Sequence, residues 1–242
     1  MSRSFGPIVR TEKVKEPNKF FYIACEGHVT EVKYFQELNN VGELCKFIHF
    51  ERPSEERTNS SPKNVFNTLK KNVIKEGLNS LTDECWIVVD RDQWGSNLAK
   101  AVQECIRHKY KFAVSSSCLE IWFIMHLVQI DSLVEPIKKS LLKNDVFRHT
   151  DENGQEIKYQ FCGSYLHFLI QTYLGPEAFY EKNKPLPKDF FELDKISFAI
   201  AQAKEIEEKI SDANYLYPTN HIGSQLYQLM ESFLKFNEEN QR

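Results

Sequence analysis

Residues 86–92 read Trp-Ile-Val-Val-Asp-Arg-Asp, an apolar run that ends abruptly in charged residues. Consecutive β-branched and aromatic residues without polar alternation are typical of a parallel strand that is covered on both faces. In an open parallel sheet, ligands bind outside the carboxyl ends of the strands. The run therefore predicts a buried parallel strand, with Asp90 and Asp92 at the edge where ligands bind.

Strands and helices alternate on both sides of this run. Further strands are predicted at 20–25, 45–50 and 111–114, and amphipathic helices follow them, for example the stripe of Val65, Leu69 and Val73. This alternation predicts an α/β fold, in which a parallel sheet carries helices on both faces.

The alternation stops near residue 130. From there the pattern predicts a mainly helical region, with a turn cluster at 151–155 and helices over 131–144, 164–174, 195–210 and 223–236. We therefore divide the chain into a flexible N-terminal arm (1–18), an α/β domain (19–130) and a mainly helical C-terminal region (131–242).

The composition is that of a folded protein. Of the 242 residues, 41% are hydrophobic and 27% are charged, which argues against global disorder. The formal net charge of −3 excludes a histone-like coat for nucleic acid, although local basic patches remain compatible with it. No apolar run approaches the length of a membrane span, and the N-terminus lacks the apolar core of a secretory signal.

The six cysteines are scattered, and most lie inside apolar runs. This usage predicts buried free thiols in a reducing, cytoplasmic environment rather than a disulfide framework. Pairing of Cys25-x-x-His28 with Cys105-x-x-His108 as zinc ligands is an alternative, but neither has the spacing of a known zinc knuckle.

Acidic residues follow the strands. Glu26 follows the first strand, Asp90 and Asp92 follow the third, and Glu120 lies shortly after the fourth. Acids gathered at one edge repel one another unless a cation is bound, and carboxylates are hard oxygen ligands for Mg²⁺. Their convergence predicts a site for a divalent metal, Mg²⁺ or Mn²⁺.

Each acid also has a structural interpretation. Asp92 is placed to cap the helix that begins near Ser96, Glu31 lies in a first helical turn, where the helix dipole favours an acid, and Ser117-x-x-Glu120 has the form of a capping box. His126 lies in a strongly apolar helix, which favours a hydrogen-bonded core residue.

Three segments resemble the motifs of RloB-like proteins. Glu26-Gly27-His28-Val29-Thr30-Glu31 with Tyr34-Phe35 is similar to the first motif, Val88-Val89-Asp90-Arg91-Asp92 to the second, and Ser115 to Trp122 with His126 to the third. The chain departs from the third motif, because Ser116 and Ser117 stand where Asn and Pro are usual. Tyr180-x-Lys182 and Pro218-Thr219 are weaker similarities.

The resemblance implies a Toprim-like, Rossmann-like catalytic domain and a nuclease that acts in prokaryotic anti-phage or abortive-infection defence. It also implies an ATPase partner of the ABC or SMC-like type. Glu26 would then handle protons, Asp90 and Asp92 would hold the metal, and Glu31 and Glu120 would complete the site. Arg91 and Lys182 are candidate contacts to the nucleic-acid backbone. Gly27 is expected to allow a tight turn close to the phosphate.

Two other functions compete with a nuclease. One is a non-catalytic regulatory or scaffolding subunit of a defence ATPase complex, and the other is a Mg²⁺-dependent phosphoryl-transfer enzyme that acts on nucleotides. The final helix carries an apolar stripe that either mediates assembly, with a second copy or with an ATPase, or packs on the sheet of its own chain; the stripe comprises Ile222, Leu226, Leu229, Met230, Phe233 and Leu234.

Overall fold

A computed structural model describes residues 18–42, 44–52, 61–78, 83–91, 94–150, 156–210, 216–218 and 221–240, with the backbone alone at 147–150 and 156–159. Asp92, the turn cluster at 151–155 and all of the predicted arm except Asn18 lie outside the described residues.

The core of the fold is a five-stranded sheet, whose strands are β1 (Lys19–Cys25), β2 (Cys45–His49), β3 (Glu84–Asp90), β4 (Lys111–Ser116) and β7 (Gly223–Ser224). Their order across the sheet is β2-β1-β3-β4-β7. The first four strands in this order are parallel, and the last pairs antiparallel with β4. This confirms the predicted α/β, Rossmann-like sheet.

Helices cover both faces of the sheet. The first four are α1 (Thr30–Leu38), α2 (Pro62–Glu76), α3 (Ser96–His108) and α4 (Glu120–Met125). The apolar residues of α2 and α3 pack with Ile87 and Val89 on one face, whereas those of α1 and α4 pack with Trp86 and Val88 on the other. Because β3 is covered on both sides, it needs no polar alternation, which explains its continuous apolar sequence.

The strand order changes direction between β1 and β3. From β1 the chain passes to β2 on one side, and from β3 it passes to β4 on the other. Outside the carboxyl ends of two such strands a crevice opens, because the helices that follow them depart to opposite faces of the sheet. Glu26 and Asp90 therefore lie at the position where open α/β sheets generally bind their ligands.

The C-terminal region is mainly helical, as predicted. Its helices are α5 (Glu135–Lys143), α6 (Phe161–Leu174), α7 (Leu193–Glu208) and α8 (Leu226–Asn240), and an antiparallel hairpin connects α5 to α6 through β5 (Val146–Thr150) and β6 (Glu156–Gln160). None of the described helices combines the length and hydrophobicity that a membrane crossing requires.

The last helix packs on the sheet of its own chain. Leu226, Leu229, Met230 and Phe233 are fully buried, and the ring of Phe233 lies 4.9 Å from that of Phe47. The two residues of β7 anchor this helix by pairing with Ser115 and Ser116. Most of the apolar stripe is thus covered within the chain, as the intrachain alternative expects.

Candidate active site

The carboxyl ends of β1 and β3 bring two predicted acids side by side. Cys25 pairs with Val88 in parallel register, so Glu26 is level with Val89 and Asp90 follows one residue further along the neighbouring strand. The Asp90 amide donates to Glu26 Oε2 at 3.3 Å, and the Glu26 amide donates to the carbonyl of Val88 at 3.1 Å. The position of the Glu26 carboxylate is thus tied to the backbone of β3.

Glu31 reaches the same place from the first turn of α1. Its Oε1 accepts a hydrogen bond from the Gly27 amide at 2.8 Å, and its side chain is 9% exposed. A Cβ atom on Gly27 would lie 2.0 Å from Glu31 Oε2, which no real contact permits. Gly27 does not have a positive φ. What the structure shows at Gly27 is room for the Glu31 carboxylate, and the expected close approach to a phosphate stays a prediction.

Glu120 opens α4 and is almost completely buried. Its Oε1 accepts a hydrogen bond from the Tyr180 hydroxyl at 2.7 Å. The capping box does not form, because Ser117 donates to the carbonyl of Leu141 instead and makes no cap to α4. A structural role in helix capping therefore does not account for Glu120.

These four carboxylates line one open cleft of about 280 Å³. The pKa of Glu31 is raised, first by burial and then by the negative charge of Glu120, while the nearby Lys182 lowers it. An acid whose pKa is raised by a neighbouring negative charge is stabilised in its ionised form by a cation that enters between the two. The cleft thus has the electrostatic character of a cation site.

The donor set fits a hard divalent cation in its chemistry, since it consists of carboxylate oxygens next to polar groups. Within the described ranges, no three Asp, Glu, His or Cys side chains are close enough together to form a complete metal site. The fourth predicted ligand, Asp92, lies outside those ranges. The carboxylates of Glu26, Glu31 and Glu120 each accept a hydrogen bond from the protein through one oxygen. To hold a metal, each would either give up this hydrogen bond or use its other oxygen.

Lys182 enters the cleft on an irregular segment that we call the strap, residues 179–184. The strap is held to α1 through both backbone polar groups of one residue, Asn183. The Asn183 amide donates to Thr30 Oγ1 at 3.2 Å, and Lys33 Nζ donates to the Asn183 carbonyl at 2.7 Å. Together with the Tyr180 hydrogen bond to Glu120, these contacts fix Lys182 beside the carboxylates.

Two other candidates lie elsewhere. Arg91 is not among the residues that line the cleft; its amide donates to the Ser115 carbonyl, and its charge adds to the lowering of the His221 pKa, which burial causes in the first place. His126 is a core residue, as its apolar surroundings favour. Its ring stacks on Phe190 at 4.6 Å, its Nδ1 lies 2.9 Å from the Trp122 carbonyl, and burial lowers its pKa to about 4.

The cysteines are all buried and all free, as predicted. Cys25 lies in the core beneath the cleft, and burial raises its pKa well above the ordinary value, so that its thiolate, the form that binds zinc, is disfavoured. Cys25 and Cys105 belong to core clusters on opposite faces of the sheet, so their two motifs do not come together around one zinc ion.

Several cleft residues were not found by the sequence reasoning. His28 lines the cleft, and Arg52, in the segment that follows β2, lies beside it. Asking which polar residues follow β2, as was done for β1, β3 and β4, would have found Arg52. Thr30 and Tyr34 belong to the first motif, but only tertiary contacts reveal what they do: Thr30 fastens the strap, and Tyr34 accepts the Trp122 indole hydrogen at 2.8 Å.

Comparison with known proteins gives one match. No curated protein and no solved structure shows significant similarity to the chain. The family model described as RloB-like protein matches residues 21–233, a range that includes all three motifs, the strap and most of α8. The chain therefore belongs to the family of RloB-like proteins.

Proposed function

We propose that this protein is a metal-dependent nuclease of the Toprim type, which hydrolyses phosphodiester bonds in DNA or RNA. The observation that carries the proposal is the convergence of Glu26, Glu31, Asp90 and Glu120 on one cleft at the switch point of the sheet. A stable fold has no need for four acids at one edge, whereas phosphodiester hydrolysis needs ligands for a cation that neutralises the phosphoryl oxygens.

Mg²⁺ or Mn²⁺, when bound, supplies charge neutralisation at the phosphate and lowers the pKa of an attacking water. Asp90 and Asp92 are the proposed main ligands, and Glu31 and Glu120 the supplementary ones. Glu26 holds or moves the proton of the attacking water, because its carboxylate lies beside Asp90. Lys182 binds the nucleic-acid backbone next to the acids, while Arg91 would meet the nucleic acid outside the cleft.

The biological setting follows from the resemblance to the family rather than from the geometry. We propose a role in prokaryotic anti-phage or abortive-infection defence, in the cytoplasm, together with an ATPase partner of the ABC or SMC-like type. The sequence contains no G-x-x-x-x-G-K-[ST] phosphate-binding loop, so ATP hydrolysis would belong to the partner.

The test is a cleavage assay on plasmid DNA, single-stranded DNA, tRNA and free nucleotides, with Mg²⁺, with Mn²⁺ and with a chelator. We expect cleavage of at least one nucleic acid that depends on the metal and is lost in Asp90→Asn. Asp131→Asn is the matched control, because Asp131 lies outside the cleft and pairs with Lys209. Metal-dependent turnover of free nucleotides alone would instead indicate phosphoryl transfer on small substrates, and unchanged cleavage by Asp90→Asn would contradict the proposed site.

A further inference from the structure

A second source of positive charge adjoins the cleft where β1 and β2 end. The charge is that of Arg52, which neighbours His28 and His49, and we call these three residues the basic flank. The Arg52 guanidinium is 3% exposed, and its Nη2 donates to the carbonyl of Glu26. A buried arginine thereby holds the backbone of the residue that we propose to handle the proton.

His28 stands between this buried charge and the cleft. Its side chain is exposed and lines the cleft, and Arg52 Nη2 lies 3.4 Å from its Nδ1 and 3.3 Å from its Nε2. Nearly equal distances to the two ring nitrogens place the guanidinium against the imidazole rather than in line with a single lone pair. Arginine commonly stacks on rings in this way, and it keeps its charge at every physiological pH.

The third member of the flank carries no charge of its own at neutral pH. The pKa of His49 is lowered to about 4, chiefly by burial; Glu51 opposes this shift, and the neighbouring His28 and Arg52 contribute to it. The permanent positive charge of the flank is therefore that of the Arg52 guanidinium, which lies against His28 and the backbone of Glu26.

A nucleic-acid strand requires such a charge here. The cleft is lined by four carboxylates, which repel the phosphates on either side of the one that is cut. Phosphate contacts position a nucleic acid without reading its sequence, and they come from basic side chains. Lys182 is the cation on the strap, and the basic flank supplies another one beside Glu26.

We infer that the basic flank is a phosphate-binding subsite, in which His28, supported by the Arg52 guanidinium, binds the backbone phosphate next to the scissile one. This inference rests on the proposed function, because it names how the same cleft holds its polyanionic substrate. It gives Arg52 the part of a positioning residue, which holds both His28 and the Glu26 backbone, and it gives His28 direct contact with substrate.

The test measures binding and cleavage of a short oligonucleotide by the wild-type protein and by His28→Ala. His28 is exposed, so its replacement leaves the core intact. We expect His28→Ala to weaken binding roughly tenfold, because a hydrogen bond to a charged group is lost, and to raise KM much more than it lowers kcat. Lys71→Ala, which removes an exposed charge on α2 away from the cleft, is the control and should change neither.

A neutral methylphosphonate linkage locates the contact. Oligonucleotides that carry the methylphosphonate at one linkage each are compared. The wild-type protein should lose most affinity when the modification lies next to the cleaved linkage. The same modified oligonucleotide should bind His28→Ala about as well as the unmodified one does. His28→Arg should restore the binding and the sensitivity. Equal binding by wild type and His28→Ala, or equal sensitivity of both to the modified linkage, would overturn the inference. Because binding does not require cleavage, a wild-type protein that binds but does not cut would count against the nuclease proposal alone.

Discussion

The strand ends and the strap reach the cleft in different ways. Glu26 and Asp90 leave directly from paired parallel strands, so the backbone ladder determines their positions. Lys182 lies on an irregular segment, and side-chain contacts from Thr30, Lys33 and Tyr180 determine its position. The positions of these two acids are therefore maintained as long as the sheet is folded, whereas the position of the strap depends on a few hydrogen bonds that single substitutions can remove.

The largest effect should come from the strand ends. Asp90→Asn removes a negative charge with little change in volume, so the protein should fold as well as the wild type, or better, because clustered acids repel. Cleavage should fall by about a hundredfold or more, since the metal supplies several kcal/mol of transition-state stabilisation. The measurements are single-turnover cleavage and a urea denaturation curve. Loss of folding with unchanged cleavage per folded molecule would show that the acid is structural.

Glu26→Gln should differ from the ligand substitutions. If Glu26 handles the proton, the concentration of Mg²⁺ at half-maximal rate should stay near the wild-type value while the rate collapses by about a hundredfold or more. In Asp92→Asn, by contrast, excess Mg²⁺ should restore part of the rate, because one ligand of several is lost. A Mg²⁺ titration of both variants distinguishes the two roles, and full rescue of Glu26→Gln by metal would contradict the assignment.

Gly27→Ala, a substitution in the first motif, should displace the Glu31 carboxylate and destabilise the protein. The added methyl group would collide with the Glu31 carboxylate, which must then leave its position, at a cost of about 1–3 kcal/mol in the free energy of unfolding. Gly163→Ala is the matched control. Gly163 lies in α6, and a Cβ atom there would make an ordinary contact with the Tyr180 ring at 3.5 Å. Because alanine is the better helix former, this substitution should stabilise the protein by about 0.5–1 kcal/mol. Denaturation of both variants tests this, and equal changes would contradict the role given to Gly27.

Tyr180→Phe should release the strap from Glu120. Removal of the hydroxyl leaves a buried carboxylate without this donor, which should cost about 1–3 kcal/mol of stability. Tyr173→Phe on α6, where the side chain is 57% exposed, should change stability by less than about 0.5 kcal/mol. If Tyr180→Phe is as stable as the control but loses cleavage, the strap serves catalysis without contributing to folding.

The smallest effect concerns pH. Because the folded-state pKa of Glu31 is raised, the unfolded chain loses this proton at a lower pH than the folded protein does. Glu31 therefore favours folding least at neutral pH, and stability should decline as the pH rises from the ordinary carboxyl pKa through the raised one. Glu31→Gln should make this decline shallower, as measured by urea denaturation between pH 4 and 7, whereas Glu37→Gln on the same helix should not. Added Mg²⁺ should stabilise the wild type more than Glu31→Gln.

Local pattern predicted most of the regular structure. The third strand was predicted from the apolar run 86–89. In the structure it begins two residues earlier and ends one residue later, at Glu84–Asp90. Three strands were missed. The hairpin of β5 and β6 has polar, charged strands without a clear apolar alternation, and β7 is only two residues long. Strands of this kind form because a partner is present, and the sequence of a single segment does not reveal the partner.

Helix starts show the same limit. The final helix was expected to begin at 223, but Gly223 and Ser224 pair with Ser116 and Ser115, and the helix begins at Leu226. The capping box at Ser117 and Glu120 was a valid local motif, yet both side chains hydrogen-bond to partners distant in the sequence. In each case a long-range hydrogen bond replaced the local one that the pattern predicted.

The sequence by itself determined the parallel sheet, the helices around it and the placement of Glu26, Asp90 and Glu120 near strand ends. It could do so because a strand's apolar run and its first polar residue are adjacent in the chain, and parallel strands end at a common edge. The tertiary structure alone decided that Gly27 makes room for Glu31, that Arg52 lies behind His28, and that Tyr180 and Lys182 join the acids. These contacts join segments up to 153 residues apart, as between Thr30 and Asn183, and no local periodicity encodes them.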